Sequence, residues 1–344
     1  LLVVTPFALS PEKSLVEALP WFRLPLMLLA LRYFILKPAF ARTFLGVMLA
    51  LTLSLVVVDT LWQLLTDASL TGNLRIEESQ RLTGPFPNPK VGIFMGKLLL
   101  ACTGLCVVAA LAQKNKWAVM ASLALLATVV VTIIFTGERA AFVSTVLGCI
   151  VVALLLMVTE KRLRLPMMVG AVAMMALFMG LYLSSAWVQM RGDQMIATML
   201  NYPQSDYGQL LLASIAMGKE HWLHGVGLRG FADVCPVLHF GEIEFRGRHP
   251  HNVYGEWFAE AGLLGVLLFV TMVALLAREA IQHLRATRGA ARLMPALALA
   301  VLVQHFFPLI GTQSFFLNWS ALLVWYAIAI VFAGLPYEEN RVRR

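Results

Sequence analysis

The sequence predicts an all-α protein that crosses a membrane many times, and three observations carry that reading. Of 344 residues, 60% are apolar and only 13% charged, where a soluble domain carries about 25% charged residues. Several apolar stretches run to about 20 residues, enough to cross a hydrocarbon layer roughly 30 Å thick; the mean hydropathy is +0.78. About half of the 27 Lys and Arg fall in alternate connections: Lys37 and Arg42; Lys114 and Lys116; Lys161, Arg162 and Arg164; Arg278, Arg285, Arg288 and Arg292; Arg341, Arg343 and Arg344. The positive-inside rule makes those connections cytoplasmic. That topology accounts for the net charge of +8 and leaves nothing that calls for a nucleic-acid partner.

Taken in order, residues 1–9 read as the tail of a span, closed by Ser10-Pro11-Glu12-Lys13. The chain starts at Leu1 with neither Met nor a basic leader, so one or more upstream spans are expected to be missing. A removed signal peptide is the alternative. Residues 19–36 form a weaker span, with Arg23 and Arg32 able to snorkel. Residues 43–65 lead out to a polar loop, 66–90, and 91–112 lead back. Residues 117–136 and 140–158 make a hairpin about the short turn Gly137-Glu138-Arg139, and 165–184 go out again. Next comes the longest segment outside the membrane, 185–252, too long for a simple connector and therefore expected to be functional. Its middle, 209–219, has apolar residues at helical spacing. Spans at 253–276, 293–310 and 316–335 complete about ten visible crossings, with about twelve expected in the full protein. The domains expected are thus 1–184, a loop domain 185–252, and 253–344. The four cysteines, Cys102, Cys106, Cys149 and Cys235, give the loop no disulfide of its own.

Five of the seven histidines lie between His221 and Gly265. Ionisable groups at a membrane edge are costly to hold and mark functional sites. Gly225-Val-Gly227-Leu-Arg-Gly230 matches a dinucleotide-binding pattern, but that fingerprint needs a strand before it and a βαβ unit around it. A tight turn is the expected reading. His221, His224 and His239 suit helix capping or loop hydrogen bonds. His249 and His251 flank Pro250, and no acidic or cysteine partner stands at a metal-ligand spacing; no metal and no cofactor are expected. His251 precedes Asn252 at the head of a span, where a neutral imidazole can take a proton from a hydroxyl.

Arginines are the second element. Arg139 at its three-residue turn is either an interfacial residue paired with Glu138 or a planar fork for a phosphate. Arg81, Arg191, Arg229, Arg246 and Arg248 are further candidates on the same side. Glu256 and Glu260, at i and i+4, share a helix face and can orient a His or Arg or simply pair.

In order and spacing these pieces resemble the O-antigen ligase and polymerase family of bacterial envelope glycosyltransferases. Arg81-Leu-Thr-Gly84-Pro-Phe-Pro-Asn88-Pro is similar to its early outer-loop motif, and Thr136-Gly-Glu-Arg139-Ala-Ala to its turn between two spans. His224-Gly225-Val-Gly227-Leu-Arg-Gly-Phe231 resembles its glycine segment. His251-Asn252-Val-Tyr254 with Glu260-Ala-Gly262-Leu-Leu-Gly265 resembles its last signature. Two departures stand out: the family's Pro is absent at Trp222 and Leu223, and Gln209 stands where an Arg often opens the loop helix. If that Arg grips pyrophosphate, another such as Arg191 must replace it. The resemblance implies transfer of a polysaccharide from undecaprenyl pyrophosphate at the periplasmic face of the inner membrane. The acceptor would be a sugar hydroxyl of lipid A–core in a ligase, or a second lipid-linked repeat in a polymerase. It implies His251 and Arg139 as catalytic residues. Arg81, Arg191, Arg229, Arg246, Arg248, His249, Asn252, Tyr254 and Glu260 would surround the substrates. A transporter or flippase for a lipid-linked anion is the reading from another class, and it would call for inverted repeats and broken helices.

Overall fold

The computed structural model describes residues 1–76, 79–235 and 249–335. Among them the regular elements are helices: α1 (Pro11–Ala18), α2 (Arg23–Ala30), α3 (Ala39–Thr66), α4 (Val91–Ala112), α5 (Lys116–Thr136), α6 (Arg139–Thr159), α7 (Arg164–Ser184), α8 (Ala186–Leu200), α9 (Asp206–Glu220), α10 (Phe231–Val234), α11 (Val253–Ala286), α12 (Leu293–Phe306) and α13 (Asn318–Ala333). Eight helical stretches among the described residues are long and apolar enough to span a membrane. They are α1 and α2 joined through short turns over Pro11–Ile35, then α3, α4, α5, α6, α7 with the turn before it (Lys161–Ser184), α11, and α12 with the turn before it (Gly289–Phe306, 18 residues). The protein is a polytopic helical membrane protein. Of the ten crossings expected, residues 1–9 are not the tail of a span: only a 3-10 turn, Thr5–Phe7, forms around Pro6. The Leu9 amide there donates to the Val226 carbonyl, so the segment is held by a loop. The last apolar helix, α13, has 16 residues, short of the ~20 a straight crossing needs.

The chain divides into two compact units. One comprises residues 29–194, 277–305 and 326–344 and is built around α4, whose buried positions lie on all sides. Small residues let its neighbours approach, as is usual where lipid removes the hydrophobic drive between helices. A Cβ at Gly46 would stand 3.0 Å from Leu105 Cβ, and one at Gly96 would stand 2.5 Å from Thr145 Oγ1. Gln304 Nε2 donates to the Gly96 carbonyl at 2.7 Å, a polar tie from α12 to α4. At the end of α5, Gly137 takes φ 76°, a left-handed stop that costs a glycine nothing, and α6 begins two residues later.

The other unit comprises residues 1–28, 195–276 and 306–325. Ser205 caps α9 by accepting from the Gly208 amide, and the helix covers the expected stretch 209–219. It lies on α11 through close contacts of Gly218 with Phe258 and of Gly255 with Ser214. Leu210, Ala213, Met217, Val226, Phe231 and Ala259 form the core beneath.

Candidate active site

The histidine site grows from the head of α11. Asn252 caps that helix, its Oδ1 accepting from the Gly255 amide at 3.0 Å while its Nδ2 donates to the Pro308 carbonyl at 2.7 Å. Tyr254 adds a third tie, its hydroxyl donating to the Phe306 carbonyl at 2.7 Å. The segment 306–315 is thereby held against the start of α11. His251, one residue before the cap, is left-handed at φ 55°, an uncommon conformation that persists only where surroundings impose it. Thr312 imposes it, its amide donating to the His251 carbonyl at 2.7 Å. The Thr312 carbonyl lies 3.1 Å from His251 Nδ1. A carbonyl only accepts, so a neutral His251 carries its proton on Nδ1 and its lone pair on Nε2.

Burial lowers the pKa of His251, opposed by the Thr312 carbonyl and by Asp206. The Tyr207 ring stands edge-on at 5.1 Å. His249 lies beside it, the two rings 4.0 Å apart, and burial together with His251 pushes His249 down to about 3. Among the described residues, His249 Nε2, Thr312 Oγ1 and Gln313 Oε1 are buried without a hydrogen-bond partner. Such atoms cost stability unless something else satisfies them.

The glycine segment serves α11 by a different route. At Gly262 (φ 66°, ψ −167°) the helix is broken, in a region essentially restricted to glycine. The carbonyls of Ala259 and Glu260 are met instead by the amides of Val226 and Gly227. Beyond the break, the amides of Leu263 and Leu264 donate to Trp222 and Leu223. Gly225 and Gly262 make the approach possible, since a Cβ at either would lie 2.4 Å from opposing backbone. Gly225–Gly230 is therefore a turn, as expected, and its task is to splice a broken helix. Glu260 completes the splice, its carboxylate accepting from the Arg229 amide at 2.6 Å and the Phe231 amide at 3.3 Å. Glu256 likewise takes the Phe315 amide at 2.6 Å. The Arg229 side chain pairs with Glu17 at 2.8 Å.

In the other unit four arginines gather. Arg191 on α8 stacks on Trp187 (4.2 Å to the ring centre), with Arg75 over the same ring at 5.4 Å. Its guanidinium donates to the Ser79 carbonyl and to Gln194 Oε1. Burial, and then the charges of Arg81, Arg139 and Arg75, lower its pKa. Arg139, the first residue of α6, donates to the Gln194 carbonyl at 3.1 Å. Of the two readings weighed for Arg139, a partner for Glu138 or a fork for phosphate, neither is decided by the ion pair that Glu138 makes with Arg81 at 3.9 Å. Among the described residues, Arg81 Nε and Arg191 Nε are buried without hydrogen-bond partners. Like charges held this close, with donors unspent, suit a multiply charged anion.

Three contributors escaped the sequence reading. Arg75 has no motif around it. Thr312 acts only through its backbone. Glu138 was weighed merely as a partner for Arg139. Trp187 and Arg191 at i and i+4 were the one available signal for the stack. Arg246, Arg248 and His239 lie outside the described residues. Among the described residues no three His, Cys, Asp or Glu side chains are grouped as metal ligands.

Helices of this number and length define a multi-span membrane protein. Residues 124–270 match the model of the O-antigen ligase family. The match runs from α5 into α11 and so takes in Arg139, Arg191, His251 and Glu260. It supports an O-antigen ligase- or polymerase-type function in general. No curated protein matches the chain.

Proposed function

We propose that this protein is an O-antigen ligase. It moves polysaccharide from undecaprenyl pyrophosphate to a sugar hydroxyl of lipid A–core at the periplasmic face of the bacterial inner membrane. The observation that carries the reading is His251, whose Nδ1 is committed to the Thr312 carbonyl so that Nε2 offers its lone pair. The acceptor hydroxyl gives its proton to that nitrogen as its oxygen forms a bond to the donor's anomeric carbon. The bond from that carbon to the pyrophosphate oxygen breaks, and its electron pair leaves with the lipid pyrophosphate. One displacement inverts the anomeric centre. Stabilising the departing charge is the role assigned in this reading to Arg139, with Arg81, Arg191 and Arg75 beside it, and guanidiniums can do so without a metal.

Asn252, Tyr254 and Glu260 act in this reading as positioning residues, since their polar atoms are spent on backbone. The test is reconstitution in detergent with a lipid-linked glycan and, separately, lipid A–core or a second lipid-linked repeat. Product on lipid A–core supports the ligase; product only on the second repeat replaces it with a polymerase. No product in detergent, with movement of the lipid across sealed vesicles, would make the protein a transporter.

A further inference from the structure

Glu138 is an acid set among bases, and the transfer chemistry does not use it. Its side chain is 1% exposed. Oε2 accepts from the Ile93 amide at 2.8 Å, while Oε1 has no hydrogen bond among the described residues and faces Arg81 Nη2 across 3.9 Å. The carboxylate cannot swing out to water. Gly92 packs so closely on it that a Cβ there would meet Thr136 Oγ1 at 2.6 Å and Glu138 Cβ at 3.2 Å. Among the described residues, the charges acting on it are Arg81 from the loop before α4 and Lys97 from α4, and Arg81 in turn acts on Arg191 together with Arg139 and Arg75. Arg81 Cγ and Arg191 Cζ lie 3.3 and 3.6 Å from where a Cβ on Gly137 would be. The arginine cluster and the acid thus share one turn.

We propose that Glu138 takes up a proton when a pyrophosphate diester occupies the arginine cluster, and returns it to solvent when the pyrophosphate product leaves. This rests on the reading of that cluster as the pyrophosphate site. The ligand's negative charges compete for the Arg81 guanidinium, the group nearest Oε1, and repel the carboxylate. A buried carboxylate that loses its counter-charge and cannot reach water has one inexpensive response, which is to become neutral. Oε1 then turns from an unsatisfied acceptor into a hydroxyl donor. Burial already lifts the Glu138 carboxyl to about 7, against the opposing pull of Arg81, the Ile93 and Gly92 amides and Lys97. A further rise carries it through neutral pH. Proton uptake is therefore greatest just above 7 and vanishes well below it, where the acid is already protonated. Affinity correspondingly falls as pH rises through that window, by up to about tenfold per unit for one proton.

The experiment is titration calorimetry of the full chain in nanodiscs with a short-chain prenyl pyrophospho-sugar. Both phosphates of this probe are esterified, so the probe does not itself titrate near neutrality. Runs at one pH slightly above 7, in two buffers of different ionisation enthalpy, count the protons. The wild type should take up a large fraction of one proton per ligand. Glu138→Gln keeps an acceptor for the Ile93 amide and should bind with no uptake and little pH dependence. The infrared band of a protonated carboxyl should also grow on ligand addition to the wild type, a reading that needs no variant. Binding by the wild type without uptake and without that band overturns the proposal alone. Uptake undiminished in Glu138→Gln also overturns it, by assigning the proton elsewhere. Absence of any binding would overturn the pyrophosphate reading and the proposal with it.

Discussion

At the scale of single residues, His251 and Arg139 make the sharpest claims. His251→Ala should keep its fold and lose transfer by about 10²–10⁴-fold, the usual worth of a general base. His249→Ala should lose much less, because the Thr312 carbonyl fixes only the neighbouring ring. As the proposed base, His251 would work as the neutral imidazole, and burial lowers its pKa. Turnover should therefore rise with pH on the acid side, with its midpoint below the ordinary ~6.5 of histidine, and be flat through neutrality. A midpoint above that value in a kcat profile would contradict the assignment. Arg139→Ala should abolish transfer and Arg139→Lys recover little, because lysine keeps the charge and loses the fork. Transfer near wild type in Arg139→Lys would reduce it to generic charge.

At the scale of elements, the splice of α11 carries the prediction. Gly262→Ala forces a side chain into a glycine-only conformation worth of order 1–3 kcal/mol, with its Cβ 2.4 Å from the Leu223 carbonyl carbon. It should lower the thermal midpoint of the purified protein and loosen the loop before His251; an unchanged midpoint would contradict the splice. Most helices were legible because an apolar run of membrane length has one stable backbone, in which every amide is paired internally. The break at Gly262 was not, because its partners Trp222, Leu223, Val226 and Gly227 are distant in sequence and act through backbone. The same holds for the candidate residues: His251, Arg139, Arg81 and Arg191 could be proposed from residue type and position. Thr312 and Arg75 could not, since proximity alone selects them. Glu260 was legible as an acid sharing a helix face with Glu256, but not its backbone role, in which its carboxylate accepts from the Arg229 and Phe231 amides.

At the scale of the whole molecule, orientation and chemistry stand together. With native cysteines replaced, a single cysteine at Glu220 should react with an impermeant reagent added to the periplasmic side, and one at Arg288 should be spared. The reverse pattern would put the histidine segment on the wrong side for a lipid-linked donor. The most direct test of the central claim separates binding from transfer in one preparation. Purified wild type and His251→Ala are given a lipid-linked glycan and lipid A–core in detergent, and donor binding and product are measured side by side. The account predicts that both proteins bind donor alike while His251→Ala forms product at least about 10²-fold more slowly. Equal rates of product formation would contradict it.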